Sequence, residues 1–171
     1  TVLQHSKIDY LGVAYTDEGV DLRNQKIMLP IVVMNMEDYS FEDIVQYQLE
    51  PSIYSLEQLE RFIKFLIDKK IKSYPIHLKL DTGMYRLGFL EENIQILIDT
   101  IINQPEIYIK GIFSHLAASD DLNEQKFTIN QIKLFDQLSH QIETSIGYKT
   151  IKHILNSSGI ENYPNYQFQM V

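Results

Sequence analysis

The sequence predicts an α/β fold of the (β/α)8 TIM-barrel type, present as an incomplete barrel. Apolar segments of strand length alternate with segments of helical periodicity, as in parallel strands covered by helices. Polar residues collect directly after several predicted strands, where barrel enzymes build their sites. A doubly wound sheet would also explain the alternation. It is disfavoured because no strand is followed by a G-x-G-x-x-G phosphate loop.

Strand-length apolar segments recur about six times along the chain. A complete barrel has eight strands and about 250 residues, whereas this chain has 171 residues. An incomplete barrel therefore fits the sequence better than a closed one. The predicted strands cover residues 9–14, 27–34, 52–54, 76–80, 108–113 and 151–155.

Segments with helical periodicity separate the predicted strands. After the third strand, Ser55-Leu-Glu-Gln58 has the sequence of a capping box, in which two side chains satisfy N–H groups at a helix start. Leu59, Ile63 and Leu66 follow at steps of three or four residues, as on one face of a helix. Similar apolar stripes predict helices over residues 91–102 and 120–142, and shorter ones over residues 16–22 and 41–47.

Composition excludes several functions. The net charge is −8 and no basic block occurs, so no nucleic-acid partner is expected. The absence of cysteine excludes disulfides and thiolate chemistry, and the five histidines show no metal-binding spacing. No apolar run approaches the ~18 residues of a membrane helix, and no signal peptide is visible. We expect a cytoplasmic protein without a membrane partner, with residues 1–171 forming a single domain because no linker interrupts them.

The candidate functional residues follow three predicted strands. Each has a simple structural explanation: Lys79 could be a solvated lysine, His115 a hydrogen-bonded rim residue, and Asn156 with Ser157 a helix cap. Taken together they suggest a ligand site. Arg86 could bind an anion through its forked guanidinium, and Ser157 with the following amides could bind phosphate. His115 could position a planar cofactor or a neighbouring cation.

Several of these residues lie in segments that resemble a known family. Lys79-Leu-Asp-Thr-Gly-Met-Tyr-Arg86-Leu-Gly-Phe89 resembles the central signature of alanine racemases, which are pyridoxal-phosphate enzymes built on a barrel. The resemblance covers about residue 8 to the end, and Tyr85 departs from the commoner glycine. Other segments match in the same order as in the family. Residues 10–14 and 17–23 resemble the family's second strand and the helix after it, and residues 29–34 its third strand. Residues 111–120 resemble the strand after the signature, and residues 156–159 the segment after the seventh strand.

The resemblance implies catalytic roles for two residues. Arg86 is expected near the phenolic oxygen of the cofactor and near the catalytic tyrosine, which it would orient. The lysine that matches Lys79 is often carbamylated in this family. A carbamylated Lys79 would be an anion that holds Arg86, which would explain a lysine at the end of an apolar strand.

The resemblance also implies how pyridoxal phosphate would be bound. Met34 is expected against the ring face, and His115 near the pyridine ring and the arginine that contacts its nitrogen. Arg86 approaches the phenolic oxygen, and Ser157 is expected to bind the phosphate. Asn156 is a weaker candidate, with a supporting role, and no metal is expected.

By this resemblance the chain is an internal part of the racemase barrel domain, lacking the first strand and most of the eighth. The parent would interconvert L- and D-alanine through a pyridoxal-phosphate aldimine for peptidoglycan synthesis, as a homodimer; some family members are fused to a peptidoglycan ligase. The cofactor lysine is expected before Thr1 and the opposing tyrosine in a C-terminal domain, so the isolated chain should be inactive. Alternatives are another barrel-fold pyridoxal-phosphate protein, such as a D-threonine aldolase or a cofactor-homeostasis protein, or a catalytically silent binding or assembly module.

Overall fold

Six parallel strands form one curled sheet in the part of the chain described by the structure, a computed structural model covering Ser6 and residues 8–171. Residues 1–5 and 7, which belong to the domain predicted from the sequence, lie outside the described residues. The strands are β1 (Leu11–Tyr15), β2 (Ile31–Asn35), β3 (Glu50–Ile53), β4 (Tyr74–Lys79), β5 (Ile107–Phe113) and β6 (Ile151–His153).

The strands lie side by side in the order in which they occur along the chain, and every neighbouring pair is parallel. This confirms the predicted incomplete α/β barrel, because a doubly wound sheet reverses its strand order at a switch point. Five strands begin one to four residues away from the predicted start, and β6 begins at the predicted residue. β2 begins at Ile31, since Ile27 donates its N–H to Leu22 and closes the preceding helix. β3 begins at Glu50, two residues early.

Helices connect successive strands, as the apolar periodicity predicts. Ser55 caps the helix after β3 by accepting from the N–H of Gln58, and the Gln58 side chain accepts from the N–H of Tyr54. The helix predicted from residue 120 begins at Gln125, because Asp121 caps a separate 3-10 turn before it. The helices are α1 (Thr16–Asn24), α2 (Phe41–Gln46), α3 (Leu56–Asp68), α4 (Ile94–Ile101), α5 (Gln125–Ile146) and α6 (Ser157–Asn162).

The two faces of the sheet have different chemistry. On β4, Ile76 and Leu78 are fully buried in the apolar core between the sheet and the helices. His77 and Lys79 alternate with them, so their side chains point to the barrel interior. Chemistry-bearing residues therefore collect inside the barrel. Within the described residues, no helix combines the length and apolar character needed to cross a bilayer.

Candidate active site

A cavity of about 620 Å³ opens at the carboxyl ends of the strands. It is built from β2, from β4 with its following loop, from β5 with the residues after it, and from β6 with the segment after it. Of the residues predicted from the sequence, those that line it are Met34, Lys79, Arg86, His115 and Asn156. The barrel therefore brings together residues that lie up to 122 positions apart, from Met34 to Asn156.

The loop after β4 presents Arg86 to the cavity, and Asp81 organises that loop. The buried Asp81 carboxylate accepts from the backbone N–H groups of Gly83, Tyr85 and Arg86, at 2.9, 3.0 and 2.9 Å. Gly88 closes the loop with φ +132°, and a Cβ there would lie 2.6 Å from the backbone nitrogen of Asp81. Only glycine fits at this position, which explains the second glycine of the motif.

The cavity is short of negative charge. Burial, and then the positive charge of Arg86, lowers the pKa of Lys79, although Asp81 acts in the opposite direction. In the part of the chain that the structure describes, neither Lys79 nor Arg86 forms an ion pair with a carboxylate. The two Asp81 oxygens already accept from the loop. Two cationic groups thus share a site with no neutralising partner.

His115 follows β5 and lies near these cations. Burial lowers its pKa first, and the charges of Arg86 and Lys79 lower it further. The neutral imidazole is therefore favoured. α5 fixes the segment from outside, because Gln131 donates to the carbonyl of His115 at 3.4 Å and accepts from the N–H of Ala117 at 3.0 Å.

Asn156 and Ser157 lie where β6 gives way to α6. Asn156 caps the helix by accepting from the N–H of Gly159, and it also accepts from the hydroxyl of Ser119. Its amide nitrogen donates to the carbonyl of Leu116 at 3.3 Å. Both polar atoms of Asn156 are therefore engaged. Ser157 is exposed at the first position of α6 and does not line the cavity.

Two aromatic side chains that line the cavity were not singled out by the sequence analysis. Phe113 and His153 stack with their ring centroids 4.9 Å apart and nearly parallel. Nε2 of His153 is buried and has no hydrogen-bond partner among the described residues. Burial, and to a lesser extent His77, lowers the pKa of His153 to about 4. The available signal was a histidine at an inward position of the short strand Ile151–His153.

Deeper in the barrel, three charged or polar side chains form a closed network. The Glu50 carboxylate contacts Nε2 of His77 at 2.7 Å and Nζ of Lys110 at 2.6 Å. Burial alone would raise the pKa of Glu50, but the hydrogen bonds from His77 and Lys110 outweigh it and leave the pKa lowered. This lower layer, defined as Glu50, His77 and Lys110, joins β3, β4 and β5. Its charges are paired.

Strands in sequential order and a cationic cavity at their carboxyl ends define a TIM-barrel-type domain with a candidate site for an anionic ligand. A match of the whole chain, residues 1–171, to the family model described as "Alanine racemase, N-terminal domain" makes the assignment specific. The chain belongs to this family.

Individual relatives agree with this assignment. Alanine racemase 1 of Oceanobacillus iheyensis is 33% identical over 167 residues, covering 95% of this chain and 43% of the relative. The solved alanine racemase of Clostridium difficile 630 matches with a TM-score of 0.90 at 32% identity, over 99% of this chain and 44% of that one. An alanine racemase of Bartonella henselae with covalently bound pyridoxal phosphate shares the fold, with a TM-score of 0.82 at 23% identity over 99% of this chain and 48% of that one. The chain thus spans less than half the length of these relatives.

Proposed function

We propose that residues 1–171 form one domain, the larger part of a racemase barrel, and that the complete protein interconverts L- and D-alanine. Peptidoglycan synthesis would use the product, and the protein would act as a cytoplasmic homodimer. The observation that carries this proposal is the cavity that unites Lys79, Arg86 and His115 in a chain of this family. The family assignment does not favour the other barrel-fold enzymes or a silent binding module.

The residues of the cavity fit pyridoxal phosphate, a planar aromatic ring that carries a phosphate. The volume of about 620 Å³ lies within the usual range of small-molecule sites. Met34 and Phe113 offer apolar surface for a ring, and Lys79 and Arg86 offer positive charge. Among the described residues that line the cavity, none is an aspartate or a glutamate. An anionic cofactor would therefore meet attraction without opposing charge.

In this proposal, the bound cofactor supplies an electron sink for negative charge at the alanine Cα. Met34 would hold the ring face and His115 the side of the pyridine nitrogen. Ser157 lies outside the cavity lining, so it would hold a phosphate that extends beyond the lining to the start of α6, where Asn156 caps the helix. Arg86 would hold the phenolic oxygen and orient the catalytic tyrosine, and its planar fork suits two oxygens at once.

Lys79 would act as a carbamate. Its lowered pKa increases the fraction of neutral amine, which is the form that attacks carbon dioxide. The amine nitrogen forms a bond to the carbon and releases one proton, and the product carries a carboxylate. That carboxylate would accept a charge-assisted hydrogen bond from Arg86 and supply the negative charge that the cavity lacks.

Racemisation also needs acid–base groups on opposite faces of Cα. The family resemblance assigns them to a lysine and a tyrosine that do not correspond to any residue of this chain. The test is to incubate the complete protein with L-alanine and pyridoxal phosphate and to measure D-alanine. We expect turnover by the complete protein and only the free-cofactor rate from residues 1–171 alone. A complete protein without racemase activity would refute the proposal. Arg86-dependent turnover by residues 1–171 alone would refute the expectation that the acid–base residues lie elsewhere in the complete protein.

A further inference from the structure

The pairing of β4 with β5 contains a β-bulge. Ile76 pairs with Ile109, and the next residue, His77, pairs with Gly111, so Lys110 is skipped. One extra residue on β5 is thereby left unpaired opposite β4. Bulges of this kind re-aim side chains and are common beside active sites.

The extra residue changes which side chains of β5 face the barrel interior. Lys110 reaches inward to Glu50, and after the bulge Gly111 and Phe113 face inward as well. Without the bulge, strict alternation would turn Ile112 into the cavity and Phe113 toward the helices. Ile112 is in fact fully buried in the core against the helices.

A close fit between His77 and Gly111 fixes the position of the bulge. A Cβ added to Gly111 would lie 2.2 Å from Nδ1 of His77 and 2.7 Å from its Cε1. The imidazole cannot easily swing away, because it is fully buried and its Nε2 contacts Glu50 at 2.7 Å. Nδ1 has no hydrogen-bond partner among the described residues and faces Gly111. The Nε2 nitrogen therefore carries the proton and donates to Glu50.

The bulge controls the cavity through Phe113. The Phe113 ring lies 5.8 Å from the ammonium of Lys79 and stacks on His153. His115 follows two residues later and lines the same cavity. A change of register on β5 would thus disturb the contacts of Phe113 with Lys79 on β4 and with His153 on β6.

We propose that Gly111 and His77 are a positioning pair: the imidazole fills the space of the missing side chain, locks the bulge, and so aims Phe113 and His115 into the cavity. Neither residue touches the ligand in this proposal. A test of this proposal by kcat rests on the proposed racemase function, whereas a test by the register of β5 in a crystal structure does not.

The test adds a methyl group at position 111 of the complete protein, with and without removal of the His77 imidazole. Gly111→Ala should collide with His77, shift the register and lower kcat per folded protein on the order of 100-fold, with a smaller change in KM. The same substitution in a His77→Ala background should cost less than about threefold, since the space is then open. Crystal structures should show Phe113 displaced in the single variant and restored in the double variant.

Gly12→Ala is the matched control, because it is another glycine on a barrel strand. Its new methyl group would make an ordinary contact of 3.5 Å with Cε of Met34, so register and kcat should be unchanged. A Gly111→Ala variant with normal kcat and an unshifted β5 would overturn the proposal. A double variant that folds but stays as slow as the single variant would also overturn it.

If Gly111→Ala does not fold, the double variant decides. Recovery of folding and of kcat to the level of His77→Ala alone supports the positioning pair, and a double variant that stays below that level contradicts it. If the complete wild-type protein does not racemise alanine, the proposed function fails. The crystal structures would then still show whether Gly111 and His77 set the register.

Discussion

Lys79 and Lys110 lie on neighbouring strands and both reach the barrel interior, yet their environments are opposite. Burial would lower the pKa of Lys110, but the hydrogen bond to Glu50 outweighs it and leaves the pKa raised. Lys79 faces Arg86, and burial together with that charge lowers its pKa. The comparison shows that the lysine of the lower layer is paired with a carboxylate that links neighbouring strands, whereas the lysine of the cavity, where a ligand is expected, has no such partner among the described residues.

Arg86→Ala should have the largest effect on this comparison. Loss of a preorganised donor at developing charge typically costs about 3–4 kcal/mol, so kcat for alanine should fall about 100- to 1000-fold. Arg86→Lys should recover little, because an ammonium lacks the planar fork. Chiral chromatography of alanine gives the rates. Arg61→Ala, which removes an exposed arginine paired with Asp38 and Glu57, is the control and should keep the wild-type rate.

His153 should make the free energy of unfolding depend on pH. Its folded pKa of about 4 lies below the ordinary value of 6.5, so the unfolded chain takes up the proton first as the pH falls. The contribution is fully present above pH 6.5 and is lost as the pH falls toward 4. It amounts to up to about 3 kcal/mol.

Urea unfolding of wild type and His153→Gln at pH 7 and pH 4.5 measures this contribution. The variant should lose less stability than the wild type on acidification. Equal losses of stability would mean that His153 takes up a proton in the folded protein as readily as in the unfolded chain, which would contradict its lowered pKa.

Glu50 should matter mainly for stability, as a member of the paired lower layer. Glu50→Ala leaves Lys110 and His77 without their partner and should cost about 2–3 kcal/mol of unfolding free energy. This lies below the range for fully buried pairs, because the Lys110 side chain is 30% exposed. Glu42→Ala is the control, since its pair with Lys69 is exposed and should contribute under about 1 kcal/mol. If urea unfolding shows the same loss of stability for Glu50→Ala and Glu42→Ala, the buried pairs of the lower layer contribute no more than an exposed ion pair.

Lys79→Ala should have the smallest of these effects on rate. Loss of one charge-assisted hydrogen bond to Arg86 should lower kcat about tenfold, and added acetate should restore part of it by occupying the vacated anionic position. A Lys110→Ala variant should show no acetate response. Near-normal activity of Lys79→Ala without acetate would mean that Lys79 is a solvated lysine with no part in the site.

The sequence predicted the fold well because alternating strand and helix signals depend on local apolar periodicity. It also predicted five cavity residues: Lys79, Arg86, His115 and Asn156 as polar groups that follow apolar strands, and Met34 from the family resemblance. It missed Glu50, because a glutamate before Pro51 is typical of a loop and its burial depends on Lys110, 60 residues away. It missed the bulge at Gly111 for the same reason: the fit to His77 exists only after β4 and β5 pair.

The central claim is that no carboxylate occurs among the described residues that line the cavity, and that Lys79, unlike Lys110, reacts with carbon dioxide to supply the negative charge. Carbon-13 NMR of the complete protein in ¹³C-labelled bicarbonate tests this claim most directly. We predict one protein-bound carbamate signal that disappears in Lys79→Arg and persists in Lys110→Arg. No signal in the wild type, or a signal that survives Lys79→Arg, would contradict the claim.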